Sequence, residues 1–280
     1  MFWQTTRFRI DLTVPRVMGI VNVTPDSFFD GGQHAGARAA VAHCERLVAE
    51  GADILDIGGE STRPGADSLG AAHELTRVLP VLREAVRLGV PVSVDTSEPA
   101  VMREALALGV DIINDVRSLQ RQGALACLVA VPNAGVCLMH MRGEPTDMQA
   151  QAHYDDVVAE VRSALAERAA AVCAAGVDRE RIVLDPGIGF AKTADHNLAL
   201  MARQAELLSL GLPLLVGWSR KGTLGRITGR PVGERLVASV VAALLAVQRG
   251  AAIVRVHDVA ATVDAIKVWQ AADRGCLPDS

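Results

Sequence analysis

Polar side chains follow nearly every short apolar segment of this 280-residue sequence. Three of them, Asp95, Asn114 and Asp185, offer hydrogen-bond acceptors. A carboxylate can accept paired hydrogen bonds from an N–C–NH₂ edge such as that of a guanidine-like ring. These residues therefore indicate a site for a flat polar heterocycle that carries N–H and NH₂ donors.

A second set at equivalent positions supplies positive charge or N–H donors: Arg63, Lys221, Arg255 and His257. Such groups bind anions, most naturally phosphate or pyrophosphate. Asn22 ends the first apolar segment and is a neutral oxygen ligand suited to Mg²⁺, which usually completes its coordination with water and substrate phosphates. The inferred substrate is a polar aromatic ring joined to a phosphorylated leaving group.

The elements that carry these residues are short apolar runs, as expected for strands buried on both faces of a parallel sheet. The predicted strands are Val17–Asn22, Ile54–Gly58, Val92–Asp95, Asp111–Asn114, Gly135–Met139, Ile182–Asp185, Leu214–Gly217 and Ile253–His257. Between them, apolar residues at helical spacing predict helices. These are Ala37–Glu50, Leu69–Leu88, Pro99–Leu108, Tyr154–Ala175, His196–Leu210, Gly233–Arg249 and Ala260–Ala272, with a weaker one at Gly123–Val131.

Eight successive strand–helix units predict a single α/β domain, a closed (β/α)₈ TIM barrel over residues 17–280. Residues 1–16 form a short N-terminal extension, interpreted as a hairpin. An open doubly wound sheet is the main alternative, although no G-x-G-x-x-G follows the first strand, as its nucleotide-binding version would require. In a barrel the site lies at the C-terminal strand ends, where all of the residues above converge.

Composition limits the class of protein. Apolar residues make up 50% of the chain and charged residues 21%, which indicates a globular protein. The formal net charge of −4 argues against a nucleic-acid partner. Five scattered cysteines indicate buried thiols in a reducing compartment. The N-terminus does not resemble a signal peptide, and no apolar run is long enough to span a bilayer, so we expect a cytoplasmic protein without a membrane partner.

Each residue also has an ordinary structural interpretation. Asp95 could cap the helix that follows it, and Asp185 could be a turn residue before Pro186-Gly187. A lone lysine such as Lys221 is most often solvated, and a lone histidine such as His257 is more often structural than catalytic. We interpret three acidic residues of the second unit as structural: Asp53, Asp56 and Glu60.

Taken in order, the strand ends resemble the motifs of the dihydropteroate synthase family. Met18–Phe28 (MGIVNVTPDSF) and Asp56–Gly65 (DIGGESTRPG) are similar to its two signature segments. Further similarities occur at Asp95-Thr96, Ile113–Asp115, Leu138–Met141, Leu184–Gly187, Ser219–Lys221 and Arg255–Asp258, in the family's order. The resemblance extends from Val17 to Ala272, nearly the whole chain.

The resemblance implies a transferase of folate biosynthesis. It would condense 6-hydroxymethyl-7,8-dihydropterin pyrophosphate with 4-aminobenzoate, releasing pyrophosphate before the amine attacks the pterin methylene. By the same resemblance, the pterin site takes Asp95, Asn114, Asp185 and Lys221, with Met139 and Phe190 as apolar walls. Pyrophosphate and Mg²⁺ map onto Asn22, Arg255 and His257, with Arg63 nearby. The aminobenzoate site takes Thr62, Arg63, Pro64, Phe190, Lys221 and Gly222.

Asp95, Asp185, Lys221 and Arg63 are the expected catalytic residues. The family also implies a homodimer, through the apolar segment Leu236–Val247, and a sulfonamide target. Gly222 departs from the pattern, because many members carry Ser there; a hydroxyl contact is lost and the backbone N–H remains. Two rival functions share the pterin cradle: a methyltransferase that passes a methyl group to a corrinoid partner, and a pterin-binding module without catalysis.

Overall fold

The chain folds into the predicted parallel barrel. The computed structural model describes residues 1–23, 32–59 and 70–276, with the backbone alone for residues 32–35. The barrel strands are β3 (Arg16–Asn22), β4 (Ile54–Gly58), β5 (Val92–Asp95), β6 (Ile112–Asp115), β7 (Gly135–Met139), β8 (Ile182–Asp185), β9 (Leu215–Val216) and β10 (Ile253–Val256). They pair in parallel in the order β8-β7-β6-β5-β4-β3-β10-β9. A parallel bridge between Leu184 and Leu214 brings the two ends of the sheet together.

The strand boundaries agree closely with those predicted. Four strands, β4, β5, β7 and β8, begin and end at the predicted residues. The shortest is β9, which keeps only two residues of the predicted Leu214–Gly217. Such agreement arises because a strand buried on both faces is one continuous apolar run, and polar residues mark where it ends.

Helices cover the outside of the sheet. They are α1 (Gly32–Ala49), α2 (Ala71–Ala85), α3 (Pro99–Ala107), α4 (Ala124–Val129), α5 (Val157–Ala174), α6 (Ala194–Ala202), α7 (Gly222–Thr228), α8 (Leu236–Gln248) and α9 (Val259–Arg274). Helix α5 begins three residues later than predicted, because Asp156 is its N-cap: Oδ1 accepts from the N–H groups of Val158 (3.0 Å) and Ala159 (3.1 Å).

Two helical regions differ from the expectation. The predicted helix His196–Leu210 divides into α6 and a 3₁₀ segment, Gln204–Leu210. There the buried Gln204 amide donates to the carbonyl groups of Ala246 (2.8 Å) and Arg249 (3.2 Å) at the end of α8. Helix α7 was not predicted, since its seven residues include Gly222 and Gly225, which favour a loop.

Residues 1–16 contain β1 (Phe2–Gln4) and β2 (Arg9–Asp11), which pair antiparallel. This pair closes the N-terminal end of the barrel. Trp3 is fully buried against the inward-facing side chains of the barrel, and its indole donates to the carbonyl of Arg181 (2.9 Å). The interior cluster consists of Trp3, Ile10, Leu12, Met18, Ile54, Ile112, Cys137, Val183, Leu215 and Ile253. With this end filled, the C-terminal ends of the strands are where a barrel of this kind places its site.

Candidate active site

The strand register places Asn22, Asp95 and Asn114 at one level of the barrel mouth, and Asp185 two residues beyond that level. Asn22 pairs with Gly58, Gly58 with Asp95, and Asp95 with Asn114 across β3 to β6. Farther round, Met139 of β7 is level with Asp185 of β8. Residues that are far apart in the sequence thus lie together at the C-terminal ends of the strands, as the barrel prediction requires.

A hydrogen-bonded network forms the floor of this mouth. The fully buried Asp56 carboxylate accepts through Oδ2 from Asn114 Nδ2 (3.1 Å) and from Arg255 Nε (2.6 Å). Arg255 Nη2 donates to Asp95 Oδ2 (2.7 Å). Asp56 Oδ1 is buried and has no hydrogen-bond partner among the described residues. The floor therefore joins four strands and contains one buried acceptor without a hydrogen-bond partner among the described residues.

Asp56, interpreted from the sequence as structural, lies in this floor in contact with the predicted site residues Asn114 and Arg255. Its partner in that interpretation, Asp53, is indeed remote from the mouth: it accepts from Arg16 Nη1 (2.9 Å) and the Val17 N–H (2.8 Å) at the start of β3. A signal existed. Side chains alternate along a strand, so Asp56 shares a face with Ile54, which lies in the barrel interior.

Arg255 is not an unpaired cation, because it already forms ion pairs with two carboxylates. Burial works against its charge, but Asp56 and Asp95 outweigh that effect and raise its pKa. Two of its nitrogens already donate to these carboxylates. Its contact with pyrophosphate remains a prediction, whereas these two hydrogen bonds place it in the floor network.

Asp185 and Lys221 form the other side of the mouth. Burial raises the pKa of Asp185, against the opposing effects of a hydrogen bond from the Gly187 N–H (2.7 Å) and of nearby Lys221. Burial and the charge of Arg255 lower the pKa of Lys221 to about 8. The Lys221 ammonium lies 4.4 Å from the centre of the Phe190 ring, a cation–π contact. A carboxylate, a cation and an aromatic wall are thus brought together.

His257 lies at the end of β10, beside Ser219. The Ser219 hydroxyl is 2.9 Å from Nδ1 of His257, and it also accepts from the backbone N–H of that histidine (3.2 Å). Burial, followed by the charges of Arg220 and Arg255, lowers the pKa of His257 to about 3. The imidazole is therefore neutral near pH 7, and it acts as a hydrogen-bonding group, not as a cation.

The remaining predicted residues are distributed as follows. Met139 is buried at the end of β7, Phe190 is half-buried after β8, and Gly222 is exposed at the start of α7. Thr62, Arg63 and Pro64 lie outside the described residues, so their predicted roles remain predictions.

Asn22 suits a Mg²⁺ ion that takes most of its ligands from water and phosphate. It presents one neutral side-chain oxygen at the end of β3. Among residues 1–23, 32–59 and 70–276, no group of three His, Cys, Asp or Glu side chains is placed to hold a metal ion by itself. The assignment of Asn22 to Mg²⁺ therefore remains a prediction that rests on the chemistry of this one oxygen.

Comparison with known proteins points to one family. The model of the pterin binding enzyme family matches residues 18–257. The chain is 54% identical over 275 residues to a dihydropteroate synthase of Neisseria meningitidis serogroup B, covering 96% of each chain. It is 49% identical over 263 residues to the Escherichia coli K12 dihydropteroate synthase, covering 94% of this chain and 93% of that one.

Solved structures agree. The dihydropteroate synthase of Xanthomonas albilineans with 4-aminobenzoic acid superposes with a TM-score of 0.90 at 53% identity, over 95% of both chains. The same enzyme in complex with 7,8-dihydropteroate gives 0.88 at 48% identity, over 98% of this chain and 99% of that one. A Yersinia pestis dihydropteroate synthase with a sulfonamide drug gives 0.92 at 44% identity, over 98% and 100%.

Proposed function

Because this chain belongs to the pterin binding enzyme family, we propose that it catalyses the dihydropteroate synthase reaction. It joins 6-hydroxymethyl-7,8-dihydropterin pyrophosphate to 4-aminobenzoate, giving 7,8-dihydropteroate and pyrophosphate. The observation that carries the proposal is the mouth of the barrel, where Asp95, Asn114 and Asp185 surround one opening. Relatives of similar length and fold have been solved with 4-aminobenzoic acid and with 7,8-dihydropteroate.

The pterin ring fits among the acceptors. We assign its N–H and NH₂ groups to Asp95, Asn114 and Asp185, and Lys221 to its carbonyl side. The open Oδ1 of Asp56 provides a further buried acceptor beneath the ring. Met139 and Phe190 supply the apolar walls. Because the network of Asp56, Asn114 and Arg255 is already formed, the site spends little free energy on ordering when the ring enters.

The chemistry follows from where the charges lie. The bond between the pterin methylene carbon and the pyrophosphate oxygen breaks, and its electron pair leaves with pyrophosphate. The methylene cation that remains is delocalised into the ring. Asp95 and Asp185 stabilise this positive charge, since Asp185 is buried, Asp95 is half-buried, and hydrogen bonds from Gly187 and Arg255 already fix them in place. The amine nitrogen of 4-aminobenzoate then attacks the methylene carbon and loses a proton.

The leaving group needs positive charge and hydrogen-bond donors. Asn22 would supply one oxygen to Mg²⁺, which would neutralise part of the pyrophosphate charge when bound. Arg63, Arg255 and His257 are the assigned protein groups on the same side. For 4-aminobenzoate we assign Thr62, Arg63, Pro64, Phe190, Lys221 and the backbone N–H of Gly222. By analogy with the Yersinia pestis enzyme, sulfonamides would compete for this second site.

A turnover assay tests the function. The purified chain is mixed with the pterin pyrophosphate, 4-aminobenzoate and Mg²⁺, and both products are followed. We expect 7,8-dihydropteroate and pyrophosphate in equal amounts. Lys221→Ala should lose most of the activity and remain folded, whereas the exposed Lys267→Ala serves as a matched control with normal turnover.

The same assay separates the rivals. A pterin-binding module would bind the pterin without releasing pyrophosphate. A corrinoid-dependent methyltransferase would form neither product, and would transfer a methyl group only when its partner is supplied. Absence of both products with a folded chain would overturn the proposal.

We also infer that the chain forms a homodimer through its last helices. Large apolar side chains are exposed on α7, α8 and the segment between them: Ile227, Val232, Leu236, Val237 and Val241. Val237 is 75% exposed, which is costly for a monomer in water. Light scattering should give twice the chain mass, and Val237→Asp should reduce it to one. Val129→Asp on α4 is the control that should leave the mass unchanged.

A cytoplasmic location is proposed on the state of the cysteines. All five are free thiols, and Cys44, Cys127 and Cys137 are buried. Burial raises the pKa of Cys44 to about 12, so it stays an unreactive thiol. This cysteine usage is typical of a reducing compartment. No helix in the described part of the chain is long and apolar enough to cross a membrane. Cell fractionation with an antibody against the chain would test the location.

A further inference from the structure

A buried lysine lies behind the site, in the loop of residues 186–193 between β8 and α6. Lys192 is one of only three lysines in the chain and is 3% exposed. Its Nζ lies 3.0 Å from the carbonyl oxygen of Phe190, 3.3 Å from that of His140 and 3.0 Å from Nδ1 of His140. An ammonium has three donors, and here three acceptors surround it. A charge is buried there with its hydrogen bonds complete.

The protonation state of His140 agrees with this arrangement. Burial, with the charges of Lys192 and Arg142, lowers the pKa of His140 to about 3. The imidazole is therefore neutral near pH 7, and its Nδ1 can accept when the proton is on Nε2. Burial lowers the pKa of Lys192 to about 7, with Asp185 acting in the opposite direction. A lysine at this position carries a desolvation cost that an apolar side chain of similar size would avoid.

The loop that Lys192 closes is tightly wound. Gly187, Gly189 and Ala191 have φ angles of +70°, +83° and +49°, the left-handed region. At Gly187 a Cβ atom would lie 2.0 Å from the carbonyl oxygen of His140, so only glycine fits there. Ala191 holds the same kind of conformation without the freedom of glycine, which is unfavourable. Contacts from outside the loop backbone must stabilise this path.

The loop carries site residues at both ends. At its start, the Gly187 N–H donates to Asp185. Near its end, Phe190 places its ring against the Lys221 ammonium. Asn197 of α6 connects the loop to α7: its Oδ1 accepts from the Gly189 N–H (2.9 Å), and its Nδ2 donates to Thr223 Oγ1 (3.0 Å). A shift of this loop would therefore move the Phe190 wall relative to Lys221.

We propose that Lys192 is a positioning residue for the second substrate. Its ammonium holds the Phe190 and His140 carbonyl groups together, and so keeps the Phe190 ring against Lys221 where 4-aminobenzoate binds. The hydrogen bonds of Lys192 go to His140 and Phe190, so we assign its effect to these residues and not to direct contact with a substrate. The inference rests on the proposed function, because it assigns the Phe190 wall to 4-aminobenzoate.

The first test is Lys192→Met in the full chain. Methionine fills a similar volume but cannot donate. We expect the KM for 4-aminobenzoate to rise at least about tenfold, the loss of roughly one charge-assisted hydrogen bond. The KM for the pterin pyrophosphate should rise less, because Asp95, Asn114 and Asp185 still hold the ring and Phe190 is only one of its two apolar walls. Lys267→Met is the matched surface control. If both KM values rise equally, or neither changes, the proposal is wrong.

A double-mutant cycle tests the route of the effect. If Lys192 acts through Phe190, then Lys192→Met added to Phe190→Ala should cause little further rise in the KM for 4-aminobenzoate. Additive losses would overturn the proposal. Should Lys192→Met not fold, Lys192→Gln keeps two donors, and a KM between those of the wild type and Phe190→Ala is expected; a wild-type KM would contradict the proposal. Wild-type turnover in the same series tests the proposed function separately.

Discussion

The two ends of the barrel hold buried carboxylates in opposite ways. At the closed N-terminal end, Asp111 is fully buried and accepts from the backbone N–H groups of Arg7 (3.0 Å) and Val92 (2.9 Å), and from the Arg7 guanidinium. At the mouth, Asp56 is equally buried, yet Oδ2 takes both of its hydrogen bonds and Oδ1 has no partner among the described residues.

This difference separates stability from function. Both oxygens of the Asp111 carboxylate have hydrogen-bond donors within the protein, so no ligand is needed to stabilise it. A buried acceptor without a partner costs about 1–3 kcal/mol, a cost that a donor on a ligand can recover. Natural folds retain such atoms mostly where a ligand or a reaction uses them. Breaking each end separately should therefore give distinct results.

The largest effect on activity is expected from Asp185→Asn at the mouth. Asparagine keeps the shape but cannot stabilise the positive charge that forms on the pterin methylene. We expect kcat to fall on the order of 10²–10³-fold. Thermal stability should not fall, because burial raises the pKa of Asp185, which means that its charge is disfavoured in the fold. Single-turnover kinetics and thermal unfolding measure the two quantities, and a loss of stability with normal kcat would contradict the assignment.

At the closed end, Asp111→Ala should lower the stability of the fold and leave kcat nearly unchanged. Two backbone N–H groups lose their acceptor, and the Arg7 guanidinium, whose side chain is 31% exposed, turns to water. We expect a loss of about 2–4 kcal/mol in the free energy of unfolding. The kcat of the folded fraction should stay within about twofold of wild type, because the mouth is a separate network. Urea unfolding measures the loss of stability, and active-site titration gives the kcat of the folded fraction. A large drop in kcat at unchanged stability would erase the contrast between the two ends.

The same contrast explains what the sequence could predict. The strands and their polar ends were predictable, because most of the buried parallel strands are largely apolar runs that stop at a polar residue such as Asp95. The roles of polar residues inside the strands were not predictable. Asp56 interrupts an apolar run, and its partners Asn114 and Arg255 are 58 and 199 residues away, so no local pattern connects them.

Helix α7 could not be predicted for a similar reason. Seven residues with two glycines have little helical propensity of their own. Tertiary contacts support the segment: the Arg235 guanidinium donates to the Arg220 carbonyl (3.0 Å), and Asn197 bonds to Thr223. Turns and short helices at the mouth depend on such distant partners, and this is where we propose that 4-aminobenzoate binds.

A pH series should reveal the charge of Lys221. Its pKa of about 8 lies below the ordinary 10.5 of lysine, because of burial and Arg255. As the pH rises above about 8, the ammonium is lost, and kcat/KM should fall by up to about tenfold per pH unit. His257, with its pKa near 3, does not titrate in this range, whereas Lys192, with a pKa of about 7, does, so Lys192→Met is measured in parallel to isolate the effect of Lys221. A rate that stays flat to pH 10 would remove the Lys221 charge from the reaction.

The same shift predicts the sign of the stability change. Between pH 8 and 10.5 the unfolded chain keeps the Lys221 proton while the folded chain releases it, so this residue makes the free energy of unfolding rise with pH. Lys221→Met should lack this increment. The comparison of urea unfolding at pH 7.5 and 9.5 for the two proteins isolates it, and an identical pH dependence would contradict the shift.

The smallest effect is expected from Gly222→Ser at the rim of the mouth. A Cβ atom at Gly222 would meet nothing within 4 Å, so the serine fits without strain. Its hydroxyl can add one hydrogen bond to the carboxylate of 4-aminobenzoate beside the backbone N–H, and we expect the KM for that substrate to fall about 2–10-fold. Gly233→Ser, where a Cβ atom is equally free of neighbours, is the control. A change in the KM for the pterin pyrophosphate instead would place Gly222 with the floor of the site. The gain is small because a hydroxyl at the rim replaces water that already solvates the carboxylate, whereas the buried acceptors of the floor have no such alternative.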